Sequence, residues 1–262
     1  MKIAVTGKGG AGKSTVAAAL ALLMAGRGER VLALDADPDA NLAAALGITP
    51  EARAGILTVA RQKALIEERT GAKTDGYGQV FRLNPEVSDI VDRFGHLHRG
   101  VSLVVMGAVA AGGSGCACPE NTFLAALVRD LVLRRDETLI MDMEAGVEHL
   151  GRATARGVDM MLVVVEPGAR AVESARRIAS MAREIGIADL RLVFNRVRSK
   201  RDEEYLRDAF AGMEVLGILP FTERLLDADR DGIAVTDAMD AGFSRGMTRI
   251  IEVLRRAGKR PV

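Results

Sequence analysis

The chain has almost no net charge: 36 basic residues stand against 35 acidic ones, leaving +1 over 262 residues. Without a field of one sign, nothing draws it to nucleic acid or to anionic lipid, and neither is expected as a partner. Long apolar runs are also missing. The longest are broken by charge well short of a membrane span. Met1 to Val5 runs straight into a glycine loop, with no apolar h-region and no cleavage site, so no signal peptide is read there. The expected compartment is the cytoplasm, where thiols stay reduced. Cysteine is scarce as well. Only Cys116 and Cys118 occur, and they are too close together for a useful structural crosslink. There are no repeats, low-complexity tracts or obvious linkers.

What is present is a globular composition, 48% hydrophobic and 27% charged. Short apolar runs alternate with helical patterns from end to end. Strands are expected at Lys2–Val5, Arg30–Leu34, Ser102–Met106, Thr138–Met141, Met160–Val165, Arg191–Phe194 and Glu214–Leu219. Several are apolar on both faces, as buried parallel strands are. Helices are expected at Ser14–Met24, Phe123–Leu133, Ala171–Ile185 and Glu203–Phe210. The fold class that follows is α/β: a predominantly parallel sheet with helices on both faces. One P-loop domain over residues 1–262 is expected, with an irregular insertion around 52–97 that decorates the sheet.

The first strand is followed by Gly7-Lys8-Gly9-Gly10-Ala11-Gly12-Lys13-Ser14-Thr15. Gly7, Gly12, Lys13 and Ser14 satisfy the phosphate-loop pattern, between a strand and a helix, where the motif works. Glycines let backbone N–H groups turn inward around phosphate oxygens, and the helix N-terminus faces the same charge. Lys13 can reach the β- and γ-phosphates, and Ser14 can ligate Mg²⁺. Carboxylates follow at strand ends, beside the crevice of a parallel sheet. Asp142 is placed to hold Mg²⁺, directly or through water, and Asp35 to support the metal shell. Asp39 and Glu144 read equally well as turn residues. Asn195 closes the strand before Arg196, where a turn residue is the competing reading.

The segment Gly112-Gly113-Ser114-Gly115-Cys116-Ala117-Cys118-Pro119-Glu120-Asn121 is the least ordinary in the chain. Pro119 suits the first position of a helix whose buried face is Phe123, Leu124, Leu127, Val128 and Leu131. The thiols then sit at a helix N-terminus, which favours thiolate. Thiolates are soft ligands for zinc, nickel, copper(I) or iron–sulfur clusters. Two cysteines make half of an S₄ site, and a twofold axis through the pair would supply the rest; a pair of buried small hydrophobes is the competing reading.

Lys8, directly after the first glycine, resembles the deviant Walker A loop of the MinD, ArsA and nitrogenase iron-protein superfamily. That resemblance implies a homodimer in which Lys8 reaches the partner's nucleotide, an arginine finger made from lysine. It also implies that Asp37 orients the attacking water, that Asn195 touches the purine, and that the nucleotide is ATP or ADP; no guanine-reading Asn-Lys-x-Asp is seen.

A narrower resemblance joins the cysteine segment 115–121 to Met-Asp-Met-Glu-Ala-Gly-Val-Glu-His-Leu-Gly-Arg at 141–152, Glu-Arg-Thr-Gly-Ala at 68–72 and Leu-Asn-Pro at 83–85. Together these resemble the CooC family, ATPases that mature nickel-containing carbon monoxide dehydrogenase. The resemblance implies delivery of nickel (Ni²⁺, with Zn²⁺ an alternative in the same site) to a carbon monoxide dehydrogenase-type client. It implies one metal held by Cys116 and Cys118 of both subunits. Ala11 and Ser14 stand where many relatives carry valine and threonine, and both suit the chemistry.

Two other functions compete: an iron–sulfur carrier similar to the Mrp type, and a MinD- or ParA-like positioning ATPase. The basic tail, Met247–Val262, lacks an aromatic anchor and reads as a last helix packed on the sheet rather than a membrane segment. His96 and His98 read as solvated side chains. His149 lies just past the Asp142–Gly146 segment without an assigned role, and the methionines in apolar runs read as core.

Overall fold

The computed structural model describes residues 1–37, 39–74, 79–107, 119–134, 137–146, 150 and 152–257. Cys116, Cys118 and His149 lie outside them, as does Pro38.

The strands are β1 (Lys2–Gly7), β2 (Val31–Ala36), β3 (His96–His98), β4 (Val101–Val105), β5 (Thr138–Met143), β6 (Met160–Val165), β7 (Leu190–Val197) and β8 (Val215–Pro220). They form one sheet in the order β3-β4-β2-β5-β1-β6-β7-β8. The pairings are parallel throughout, apart from antiparallel β3 on β4. β1 and β2 are buried along their whole length. Ile3 and Val5 join one core while Ala4 joins the other, because successive side chains leave opposite faces of a strand.

Helices Lys63–Thr70, Ile90–Phe94, Pro119–Arg134, Ala169–Ile185 and Lys200–Ala209 supply the core on one face. Helices Lys13–Ala25, Leu42–Ala45, Val235–Ala238 and Ala241–Ala257 supply the other. Helix Lys13–Ala25 is buried from Val16 through Leu22 and again at Met24. A helix apolar all round needs partners all round, and it has them in the sheet and the last helix.

The antiparallel strand β3 was not among the expected strands. Its short run, His96-Leu97-His98, has no apolar signature, and a tight turn with positive φ at Arg99 (48°) and Gly100 (80°) folds it back on β4. The stretch around 52–97 also carries Leu65, Ile66, Ile90 and Phe94 into the core shared with Phe123, Leu127 and Leu131. Helix Pro119–Arg134 starts at the proline, as its fixed φ favours. Among the described residues, no helix is long and apolar enough to cross a membrane.

The parallel strands end on one side of the sheet. On that side lie Gly7, Asp35, Asp142 and Asn195, at the carboxyl-end crevice where such sheets bind ligands.

Candidate active site

The phosphate loop is shaped by close packing. Gly7 passes so near β6 that a Cβ there would lie 2.3 Å from the Val164 carbonyl oxygen. Gly12 has φ +91°, and a Cβ would lie 2.3 Å from the Asn195 side-chain nitrogen. Only glycine fits both places. The loop is tied by Ala11 N–H to the Lys8 carbonyl (3.0 Å) and by Asn195 Nδ2 to the Ala11 carbonyl (2.8 Å). Helix Lys13–Ala25 starts with no side-chain cap and no acidic residue in its first turn. Its free N–H groups are therefore available to an anion.

A cleft of about 370 Å³ opens over this loop. One wall is Gly9, Gly10, Gly12, Lys13, Ser14 and Thr15. Asp37, Asp39, Asn41, Glu144 and Ala145 flank it, and Asn195 and Arg196 close one side. The far wall comes from the segment after β8, with Phe221, Thr222, Leu225 and Leu226. Phe221 is backed by the Arg198 guanidinium, 3.6 Å from the ring centroid.

Charge inside the site is unbalanced. Lys13 Nζ pairs with Asp37 Oδ2 at 3.3 Å, both side chains buried. Asp35 and Asp142 sit opposite each other in the β2–β5 register, both fully buried. The oxygens of Asp35 accept the backbone N–H of Leu42 (3.0 Å) and of Asp37 (3.4 Å), so Asp35 anchors the loop that carries Asp37. Burial, then the Asp142 charge, push Asp35 up to about 8. Burial raises Asp142 to about 6, with Ser14 and Lys13 favouring its charged form and Asp37 opposing it. The Ser14 hydroxyl is near enough to stabilise that charge, but neither Asp142 oxygen has a well-formed hydrogen bond among the described residues.

A buried carboxylate with two unmet oxygens beside a serine fits a hard cation. Mg²⁺ is commonly held by one or two carboxylates together with substrate phosphates. Asp142 and Ser14 are the residues that would hold it, and when bound it neutralises charge on the transferring phosphoryl group. The protein's own part is the amide cradle, the Lys13 ammonium and the buried Asp37.

Lys8 stands apart from these groups. It is half-exposed at the rim, and its Nζ lies 3.6 Å from Glu166 Oε1. Arg196 contacts the other oxygen of Glu166 at 3.4 Å, from a backbone with φ +58° that is strained for a residue with a side chain. Asp39 is exposed at the mouth. His96 and His98 lie far along the sheet on edge strand β3. The Nε2 of His98 is buried without a hydrogen-bond partner among the described residues, and burial lowers the imidazole's pKa.

Asn41, Glu166, Arg196 and the Phe221–Leu226 wall were not expected as parts of the site. The available signal was position: Arg196 lies in the last residues of β7, and the others come after β2, β6 and β8 at their carboxyl ends.

This geometry agrees with the chain's relatives. Residues 2–235 match the family described as the CobQ/CobB/MinD/ParA nucleotide binding domain. The carbon monoxide dehydrogenase accessory protein CooC of Rhodospirillum rubrum is 40% identical over 98% of both chains. The chain belongs to the CooC family. An uncharacterized ATP-binding protein of Methanocaldococcus jannaschii is 42% identical over 87% of this chain and 88% of that one. In fold, a chain of the MinC:MinD cell division protein complex from Aquifex aeolicus superposes with a TM-score of 0.70 over 100% of this chain and 98% of that one, at 18% identity. The protein is thus a P-loop ATPase with a deviant Walker A loop, acting on ATP with Mg²⁺, and the cleft is its candidate nucleotide site.

Proposed function

We propose that this ATPase drives delivery of nickel to a carbon monoxide dehydrogenase-type enzyme, working as a homodimer. The observation that carries the reading is full-length similarity, at 40% identity, to the accessory protein of carbon monoxide dehydrogenase. The Cys116-Ala117-Cys118 sequence, directly before helix Pro119–Arg134, supports it. In this reading, each protomer contributes both thiolates to one intersubunit metal, and zinc is the competing occupant. Nickel is cargo, so its site must release it.

The same reading gives the nucleotide groups their roles. Lys13 leaves Asp37 for the β- and γ-phosphates, and Asp37 then orients the attacking water. Lys8 leaves Glu166 and reaches the partner's nucleotide. Asn195, besides gripping Ala11, contacts the purine on its open side. Thiolate ligation displaces protons, so metal binding should release them and weaken at acid pH.

The test is metal analysis of protein purified without a tag, beside a Cys116→Ser, Cys118→Ser double variant. One nickel or zinc per dimer in the wild type, lost in the variant while ATP binding persists, is the expected result. Full metal content in the variant would remove the site. A brown protein with visible absorbance would favour the iron–sulfur carrier, and a metal-free wild type the positioning ATPase.

A further inference from the structure

β1 and β5 pair through their backbones up to Val5 opposite Asp142, and there the register ends. On its other edge β1 pairs with β6 from Ile3 opposite Met160 through Gly7 opposite Val164, so that ladder alone continues past Val5. The segment Glu144–Gly146 therefore leaves β5 without a backbone ladder to β1. The Thr6 side chain spans the gap. Its hydroxyl donates to the Glu144 carbonyl at 2.7 Å, and the Gly146 N–H donates to it at 3.3 Å. The Gly146 carbonyl is also 3.3 Å from the same oxygen. Thr6 is fully buried. A single hydroxyl thus acts as donor and acceptor to one three-residue loop, replacing the ladder that has stopped.

That loop faces the cleft. Glu144 and Ala145 line the cleft beside the phosphate loop, and Asp142 lies two residues before Glu144. Gly146 N–H is also turned back on the Glu144 carbonyl at 2.7 Å, so the loop is a tight turn pinned at both ends. Thr6 itself is one residue before Gly7 and does not line the cleft. Its hydroxyl is placed to fix the distance between the phosphate loop and the Glu144–Gly146 wall.

We propose that Thr6 is a positioning residue for ATP hydrolysis, whose hydroxyl docks the Glu144–Gly146 loop against the phosphate loop. The loop is held before nucleotide arrives, so the interaction acts on the reacting geometry rather than on capture. Nucleotide contacts of Gly9–Thr15 do not pass through it, so ADP affinity should be nearly independent of Thr6.

Thr6→Val keeps the shape and removes only the hydroxyl; Thr6→Ser keeps the hydroxyl and removes the methyl. A misplacement of about 1 Å costs roughly 100-fold in rate, so Thr6→Val should lower kcat by about 10- to 100-fold, with KM and ADP affinity within about threefold of wild type. Thr6→Ser should restore kcat to within about threefold of wild type. Amide hydrogen exchange of the nucleotide-free wild type needs no variant: Gly146 should be protected, as an amide held by a buried acceptor is. Turnover of Thr6→Val within about twofold of wild type would overturn the proposal. So would failure of Thr6→Ser alongside Thr6→Val, a change confined to KM, or a Gly146 amide that exchanges like open loop.

Discussion

The two walls of the cleft are built on different principles. The phosphate wall is backbone and charge: two glycines that tolerate no Cβ, a buried Lys13–Asp37 pair and a loop carbonyl gripped by Asn195. The opposite wall is side chain and surface. Phe221, Leu225 and Leu226 come from a segment whose helix, Glu223–Asp231, buries only Ala228. Phosphate carries the same charge and geometry in every nucleotide, so its wall has few solutions. Apolar side chains can cover a cleft in many arrangements, so the other wall has many. Substitutions should therefore be severe on the first and graded on the second.

The largest effect is expected at Lys13. Lys13→Ala removes the cation proposed to meet the phosphates and leaves the buried Asp37 carboxylate without its ion-pair partner. Breaking a buried ion pair from one side costs about 3–5 kcal/mol, so nucleotide binding should vanish from a titration and the melting temperature should fall. Retention of near-wild-type ATP affinity would break the contrast between the walls.

A smaller effect sharpens it through pH. Asp35 is raised from 3.8 to about 8, chiefly by burial and then by Asp142. Between those values the folded chain holds a proton that the unfolded chain has lost, so stability falls as pH rises through the window. The nucleotide-free protein should melt several degrees lower at about pH 8 than at about pH 6, as 1 kcal/mol moves Tm by roughly 2–4 °C at this size. Asp35→Asn should flatten that slope. An unchanged slope in the variant would place the titration elsewhere.

The smallest effect is expected at Phe221. Phe221→Ala should raise KM for ATP by about 3- to 10-fold with kcat nearly unchanged, the pattern of uniform binding loss. A fall in kcat with KM unchanged would mean that this wall takes part in the chemistry.

The same contrast explains what could be read in advance. Gly7–Thr15, Asp35 and Asp142 were legible because strand, turn and charge must coincide there in sequence. Most strands were legible because burial on both faces leaves unbroken apolar runs, as in Met160–Val165. Their ends ran further than expected, β5 to Met143 and β7 to Val197, since pairing continues through polar residues that serve the site. β3 was hidden because three residues held by a tight turn have no period to detect. Asn195 was visible as a residue type, but its bond to Ala11 spans 184 positions and depends on the sheet order β1-β6-β7. Glu166 and Arg196 were hidden for the same reason, each being an ordinary charge until the strands bring Glu166 between Lys8 and Arg196.

Lys8 belongs to neither wall. One chain supplies a cleft for nucleotide, and hydrolysis is proposed to need Lys8 from a second. The most direct measurement mixes two impaired variants, Lys8→Ala and Asp37→Asn, each hydrolysing ATP slowly alone. In a mixed dimer, the Lys8→Ala protomer keeps its own Asp37 and receives Lys8 from its partner, so one site is complete. Random pairing makes half the dimers mixed with one complete site of two, so about a quarter of wild-type turnover should return. If the mixture hydrolyses no faster than the average of its parts, Lys8 acts within its own chain and the two-chain site is wrong.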